Sequence, residues 1–285
     1  MEQMRRRVLI VEGNTREVSG KIAAVGGTPY GEWYAALVDE IAPGTACTIV
    51  RPADEGADCL PDGLALTDFD GAIWTGSALN VYDAHGAVTE QLRLAERVMQ
   101  AGVPAFGSCW ALQVFATILG GKVRANPKGR EIGIATGITL TDAGHAHPMY
   151  AGKPRKFSAF AVHVDEVAEL PRGAVVLSCN DMCAVQSFAY DDGDASLWAV
   201  QYHPEFDHAT MARVLDRLTN ALLAEGLFRD VDEVHAEMER YSSFDARRAA
   251  GRVTANDPLN DAGLANPDVR RAELSNWLLG KVGAW

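Results

Sequence analysis

Between residues 8 and 118 short apolar runs alternate with longer amphipathic segments, and few folds accommodate that alternation. "RVLIVEG", "CTIVRP", the stretch of "DFDGAIWTGS" that ends at Trp74, and "VPAFGS" read as buried strands. The first of these runs from Val8 to Val11, and Glu12 ends it. "GEWYAALVDEI", "VTEQLRLAERVMQAG" with its stop at Gly102, and "WALQVFATILGG" read as helices. Strands and helices in strict alternation predict an α/β fold: an open, mostly parallel sheet with helices on both faces.

The rhythm changes near residue 122. "GKVRANPKGREIGIATGITLT", "KFSAFAVHVDEV", "AVVLSCN" and "CAVQSFAY" read as strands or hairpins with no helix between them, an antiparallel excursion in the middle of the chain. "LWAVQYHPEF" returns to a core strand, and "ATMARVLDRLTNALLAEG" is an amphipathic helix. After Phe228 the pattern shifts again. "VDEVHAEMERYSSFDARRAAGR" is charged and helical, "VTANDPLNDAGLANPD" is loop-like, and Asn266-Pro267 opens a last helix through "VRRAELSNWLLGKV". The expected organisation is a domain over 1–228 and a helical C-terminal extension over 229–285, packed on the domain or on a partner. Trp277, Leu278 and Leu279 form an apolar stripe that reads as packing within the chain.

Composition narrows the function. A formal net charge of −12 argues against a nucleic-acid-binding surface, and 48% hydrophobic residues over 285 positions suffice for a sizeable core. The basic lead "MEQMRRR" precedes an apolar run too short for a signal-peptide core, and no uninterrupted apolar run approaches the roughly 18 residues of a membrane span. The chain therefore reads as cytoplasmic, with no membrane partner. Five cysteines (Cys47, Cys59, Cys109, Cys179, Cys183), odd in number and without a C-x-x-C pair, predict neither a disulfide framework nor a structural zinc. Cys47, Cys179 and Cys183 read as small buried hydrophobes, and neither a metal nor a cofactor is expected.

Cys109 differs in its position. In "GVPAFGSCWALQVFATILGG" it stands where a strand turns into a helix, with Gly107 and Ala111 as small neighbours. A helix N-terminus stabilises a thiolate, and the next backbone N–H, that of Trp110, can face an oxyanion. Alone, such a cysteine is more often structural. A nucleophile also needs a base, and His203 in "AVQYHPEF" is the candidate: Pro204 favours extended backbone there, and Glu205 leaves the chain on the same side two residues on. A carboxylate beside an imidazole fixes its tautomer and raises its basicity. His163 in "AVHVDEV" reads equally as a site or a core histidine. His85, His145, His147, His208 and His235 read as solvated.

With these residues placed, the sequence resembles the class I glutamine amidotransferase domains. "FDGAIWTGSALNVYD", "GVPAFGSCWALQ", "GREIGI", "AVHVDEVAELPRG" and "AVQYHPEF" resemble five motifs of that family, in order, across roughly residues 8 to 225. The branch most resembled is the glutaminase domain of GMP synthase, although no ATP-pyrophosphatase pattern follows. The resemblance implies that Cys109 attacks the side-chain amide of glutamine. Trp110 and the Gly76–Ser77 loop supply oxyanion donors, His203 oriented by Glu205 moves the protons, and Gln113 and His163 contact substrate. Ala111 replaces a usual glycine, Ser77-Ala78 a Gly-Pro, and Val162 and Val164 flank His163 where Ser and Gly are common. Three functions follow: a glutaminase delivering ammonia to a separate synthase partner, an independent hydrolase of γ-glutamyl amides, or an inactive binding homologue.

Overall fold

The computed structural model describes residues 6–283 apart from Ala84, so of the basic lead only Arg6 and Arg7 lie within the described residues. In chain order the strands are β1 (Arg7–Val11), β2 (Ala46–Val50), β3 (Gly71–Trp74), β4 (Ala105–Ser108), β5 (Lys122–Ala125) and β6 (Glu131–Leu140), then β7 (Lys156–His163), β8 (Asp165–Glu169), β9 (Val175–Cys179), β10 (Ser187–Asp192) and β11 (Ala195–Val200). One nine-stranded sheet takes the spatial order β2-β1-β3-β4-β11-β10-β9-β6-β7, and β5 pairs with β8 in a separate antiparallel ribbon. Pairing is parallel among β2, β1, β3, β4 and β11, and antiparallel from β11 outward to β7. The mostly parallel sheet, the helices and the antiparallel excursion read from the sequence are all present.

Both faces of the sheet are covered, which is why every residue of the central parallel strands β3 and β4 is buried. On one face the helices Gly86–Gln100 and Trp110–Ile118 bury Leu94, Val98, Leu112 and Phe115 against Trp74 and Leu197. On the other, helix Tyr30–Ile41 and the chain's last turns bury Tyr34, Leu37, Leu274, Trp277 and Leu278 against Val8, Ile10 and Phe106. A third cluster joins helix His208–Ala224, helix Val231–Ser242, Phe244, Leu259 and Leu264 to Phe160 of β7.

The C-terminal segment is thus woven into two of the three cores. A buried polar contact also holds it. Lys153 Nζ lies 2.6 and 2.7 Å from the two carboxylate oxygens of Glu273, with both side chains essentially without solvent contact. Tyr202 also donates to Glu273, and the Tyr150 hydroxyl, 2.9 Å from that of Tyr202, links this pair to Ser187.

Several local readings need correction. Residues 16–24 form a helix that the sequence pattern had not suggested; Thr15 caps it, accepting from the Val18 N–H. The stretch read as loop-like holds the short helix Ala262–Ala265, with Leu259 and Leu264 fully buried. The last helix is interrupted, running as Pro267–Arg270, Ala272–Asn276 and a π turn over Trp277–Lys281. Of the apolar stripe, Trp277 and Leu278 are buried and Leu279 is exposed. His208 is not solvated: it stacks on Phe244 at 4.0 Å and contacts the Leu259 carbonyl at 3.1 Å, because the extension covers it. His147 is half-buried against Trp198, and Cys47 and Cys179 are half-buried rather than buried. No disulfide occurs, and no helix is long and apolar enough to cross a membrane, among the described residues.

Candidate active site

Cys109 sits between the end of β4 and the first residue of helix Trp110–Ile118. Its backbone has φ 53° and ψ −98°, the one positive φ outside glycine among the described residues. Such a conformation costs about 1–3 kcal/mol and persists only where the surroundings enforce it. The Cys109 N–H donates to Val200 at the end of β11 at 2.7 Å. Gly107 removes the steric obstacle, since a Cβ there would stand 2.1 Å from the Ala111 methyl and 3.1 Å from the Trp74 carbonyl. The turn thus presents the thiol at the carboxyl ends of β4 and β11, where open parallel sheets form their crevices. Sγ lies 3.6 Å from the Val162 carbonyl.

His203 follows β11 by three residues, and its N–H donates to Phe160 of β7 at 2.7 Å. Its Nδ1 is 2.7 Å from Glu205 Oε1, and both side chains are buried. Phe206 stacks on the ring at 4.1 Å, and Gly76 lies so close to the ring's Cε1 edge that a Cβ would come within 2.8 Å of that atom. Burial alone would depress the imidazole's pKa. The Glu205 charge, with hydrogen bonding to the Cys109 sulfur and to Glu205, outweighs that and pushes it up to about 10. Nε2 makes no hydrogen bond of ordinary geometry, yet the sulfur is near enough to favour the protonated ring. Ring and carboxylate are therefore paired directly, and Cys109 and His203 line one cleft.

Most of the residues that hold this group lie outside the motifs. Ser108 donates to Glu205 Oε1 at 3.0 Å, and the Tyr34 hydroxyl lies 2.9 Å from Ser108 Oγ. Trp33 Nε1 donates to the Glu205 carbonyl at 3.0 Å. Gln91 Oε1 accepts from Trp110 Nε1 at 2.8 Å while its amide donates to Gly13 at 3.0 Å, clamping the helix start to the end of β1. Buried Glu12 accepts from the N–H groups of Gly31 and Asn14, and burial raises its pKa. Tyr34 and Glu12 lie on elements far from the motifs in sequence and Gln91 lies beyond the end of one; only Ser108, beside the cysteine, falls within a motif.

A solvent-open cleft of about 820 Å³ surrounds Cys109 and His203. Gln113, one helical turn after Cys109, lines it, as do Ser77 and Ala78. The Ser77 hydroxyl accepts from the Leu79 N–H and the Ala78 N–H donates to Asn14 Oδ1 at 3.0 Å, so hydrogen bonds shape this loop. Trp110 is the first helical residue, where N–H groups lack intrahelical acceptors. His163 lines the cleft, but its ring nitrogens are engaged by Glu131 Oε2 at 2.9 Å and the Asp165 carbonyl at 3.0 Å. Its contribution is to fix this wall rather than to offer a free ring nitrogen.

Glu131, His163 and Cys183 bring three potential metal-ligand atoms within 4.8 Å of one another. Glu131 is already satisfied by His163, Asn180 and Gln186, and burial pushes the Cys183 thiol up to about 12, away from the thiolate a metal needs. This second Glu–His–Cys group fits a buried hydrogen-bond network better than a metal centre.

This fold, with a strained cysteine at the carboxyl edge of a parallel sheet beside a paired His–Glu, agrees with what sequence comparison returns. The chain belongs to the class I glutamine amidotransferase family, whose model matches residues 36–219. It is 29% identical, over 95% of its own length and 92% of the relative's, to the γ-glutamyl-L-1-hydroxyisopropylamide hydrolase of a Pseudomonas species. It is 30% identical to a glutamine-hydrolysing GMP synthase subunit of Methanoculleus marisnigri, over 46% of this chain and 67% of that one. Among solved structures, a glutamine amidotransferase from Thermotoga maritima superposes with a TM-score of 0.68 at 16% identity, covering 98% of this chain and 99% of that one, a likeness of fold.

Proposed function

We propose that this chain hydrolyses γ-glutamyl amides, glutamine among them, through a thioester on Cys109. The carrying observation is the buried His203–Glu205 pair, 2.7 Å apart, beside a sulfur held at a strained strand-to-helix turn. The Cys109 sulfur attacks the γ-carbonyl carbon, forming a C–S bond. N–H groups of Trp110 and of the Gly76–Ser77 loop face the resulting oxyanion, each such donor typically contributing about 3–4 kcal/mol. His203 passes its proton to the departing nitrogen as the C–N bond breaks. The neutral ring then takes a proton from water, which opens the thioester and releases glutamate. Glu205 keeps the ring oriented and stabilises its protonated form.

The likeness to an amide hydrolase along nearly the whole chain favours turnover without a partner. The likeness to a GMP synthase subunit supports a second reading, in which the ammonia passes to a separate synthase. We further infer that residues 1–228 form the amidotransferase domain and that 229–285 fold onto it, a reading that the burial of Trp277 and Glu273 supports.

The test is turnover of glutamine and of γ-glutamyl alkylamides by the isolated protein across pH. Because His203 is raised well above its usual value, its proton is retained through neutral pH and lost near about 10. The alkaline limb of the kcat/KM profile is expected there, and Glu205→Gln, which removes the principal raising charge, is expected to move it to lower pH. Stability follows the same sign: the gain from a protonated His203 is full below the unfolded imidazole's pKa and fades as pH rises toward the folded one. A limb unmoved by Glu205→Gln would exclude His203 as the titrating acid.

A further inference from the structure

The lining of the cleft is chemically mixed. Gln113, His163 and Asp165, whose carboxylate accepts from Tyr82 at 2.9 Å, belong to it. So do Asn14, Tyr30 and Arg217. The two cleft arginines also differ. Arg130 is neutralised by Glu225 through two hydrogen bonds, of 2.8 and 2.6 Å. Arg217, partly buried on helix His208–Ala224, forms no ion pair among the described residues. Its charge reaches Tyr30, where it opposes the rise that burial imposes on the phenol.

Asn14 adds an independent sign. It is 1% exposed, and its Oδ1 is fixed by the Ala78 N–H. That hydrogen bond defines which end of the amide is left, and Nδ2 makes no hydrogen bond of ordinary geometry. A buried donor without a well-placed acceptor is costly and calls for one. Tyr30 and Arg217 line this cleft together with Asn14, and the two also share the lining of a neighbouring pocket. The Asn14 side-chain amide also lowers the Glu12 pKa by hydrogen bonding, so the carboxylate is its neighbouring but poorly aligned acceptor; Glu12 does not line the cleft and already accepts from the Gly31 and Asn14 N–H groups.

We propose that Arg217, Tyr30 and Asn14 form a carboxylate-binding subsite that selects substrates by a carboxylate remote from the scissile amide. The inference rests on the γ-glutamyl amide hydrolase reading and deepens it. Two carboxylates are chemically available: the α-carboxylate of the glutamyl group, and one carried by the departing amine, as in a γ-glutamyl amino acid. The position of Tyr30 and Arg217 favours the second. Both also line a narrow apolar pocket with Phe206, the ring stacked on His203, and His203 is the group that protonates the departing amine. Arg suits this task because its planar donors match a carboxylate.

The experiment compares kcat/KM for two substrate pairs in the wild type, Arg217→Met and Arg217→Lys. γ-Glutamylglycine against γ-glutamyl methylamide differs only by the amine's carboxylate. γ-Glutamyl methylamide against 4-aminobutanoyl methylamide differs only by the α-carboxylate. Within a pair, the ratio cancels any change in folded fraction. The preference for the carboxylate-bearing member is expected to fall about tenfold or more in Arg217→Met, chiefly through KM, and to recover in part in Arg217→Lys. The pair that responds identifies the carboxylate. Ratios unchanged in both pairs, with the methylamide still hydrolysed, overturn the subsite alone. No turnover of any member by the wild type overturns the hydrolase reading, and the subsite with it.

Discussion

Cys109→Ala is expected to lower kcat/KM for γ-glutamyl amides by at least about 10,000-fold, because removing a covalent nucleophile removes the route and not merely one contact. The loss should appear with the fold intact. Cys109 occupies its left-handed conformation through a hydrogen bond to Val200 and the close packing of Gly107 on Ala111, none of which involves the sulfur. Cys109→Gly extends the test. Glycine tolerates φ 53° without strain, so this variant is expected to be as inactive as the alanine variant yet more stable than it. Circular dichroism and thermal unfolding beside a steady-state assay separate the two effects. An alanine variant that retains its turnover would move the nucleophile elsewhere.

The second large effect is on stability. Glu273→Ala is expected to cost about 3–5 kcal/mol, since it leaves the Lys153 ammonium buried without its counter-charge. It also removes an acceptor from Tyr202, whose next residue is His203. Burial already pulls the Lys153 pKa below its ordinary value despite the attraction of Glu273, so the lysine has little tolerance for losing that partner. The double variant Lys153→Met/Glu273→Leu is expected to recover much of the loss, because apolar pairs of similar volume often replace buried ion pairs without penalty. Denaturant midpoints at constant slope give the comparison. If the single variant were as stable as the wild type, the extension would not be held by this contact.

These two sites differ in how far the sequence disclosed them. The position of Cys109 was legible because a small-residue turn between an apolar strand and a helix leaves a local imprint, and the His203–Glu205 pair because a single residue separates them, although Pro204 and Glu205 form a turn, closed by the Phe206 N–H on the His203 carbonyl, instead of the extended backbone expected. Parallel strands were legible for a similar reason: β3 and β4 are buried on both faces, so their apolar runs are continuous. Glu273 offered no such imprint. It is one glutamate in a charged segment until Lys153, 120 positions earlier, is folded against it. Tyr34, Gln91 and Glu12 were hidden likewise, each acting through a partner on another element. His208 was misread because Phe244 and Leu259, which cover it, come from the extension, far along the chain. The interrupted last helix had its cause in packing too: Trp277 must enter the core beside Phe106, at 5.9 Å between ring centres, and the chain accommodates it with a π turn.

Trapping the acyl-enzyme tests the central claim most directly. The protein would be mixed with a γ-glutamyl amide, quenched in acid during turnover, and analysed by intact-mass and peptide mass spectrometry. The expected result is a single γ-glutamyl adduct on the peptide that carries Cys109, absent from Cys109→Ala. Turnover proceeding with no adduct at Cys109, or with the adduct on another cysteine such as Cys183, would contradict it.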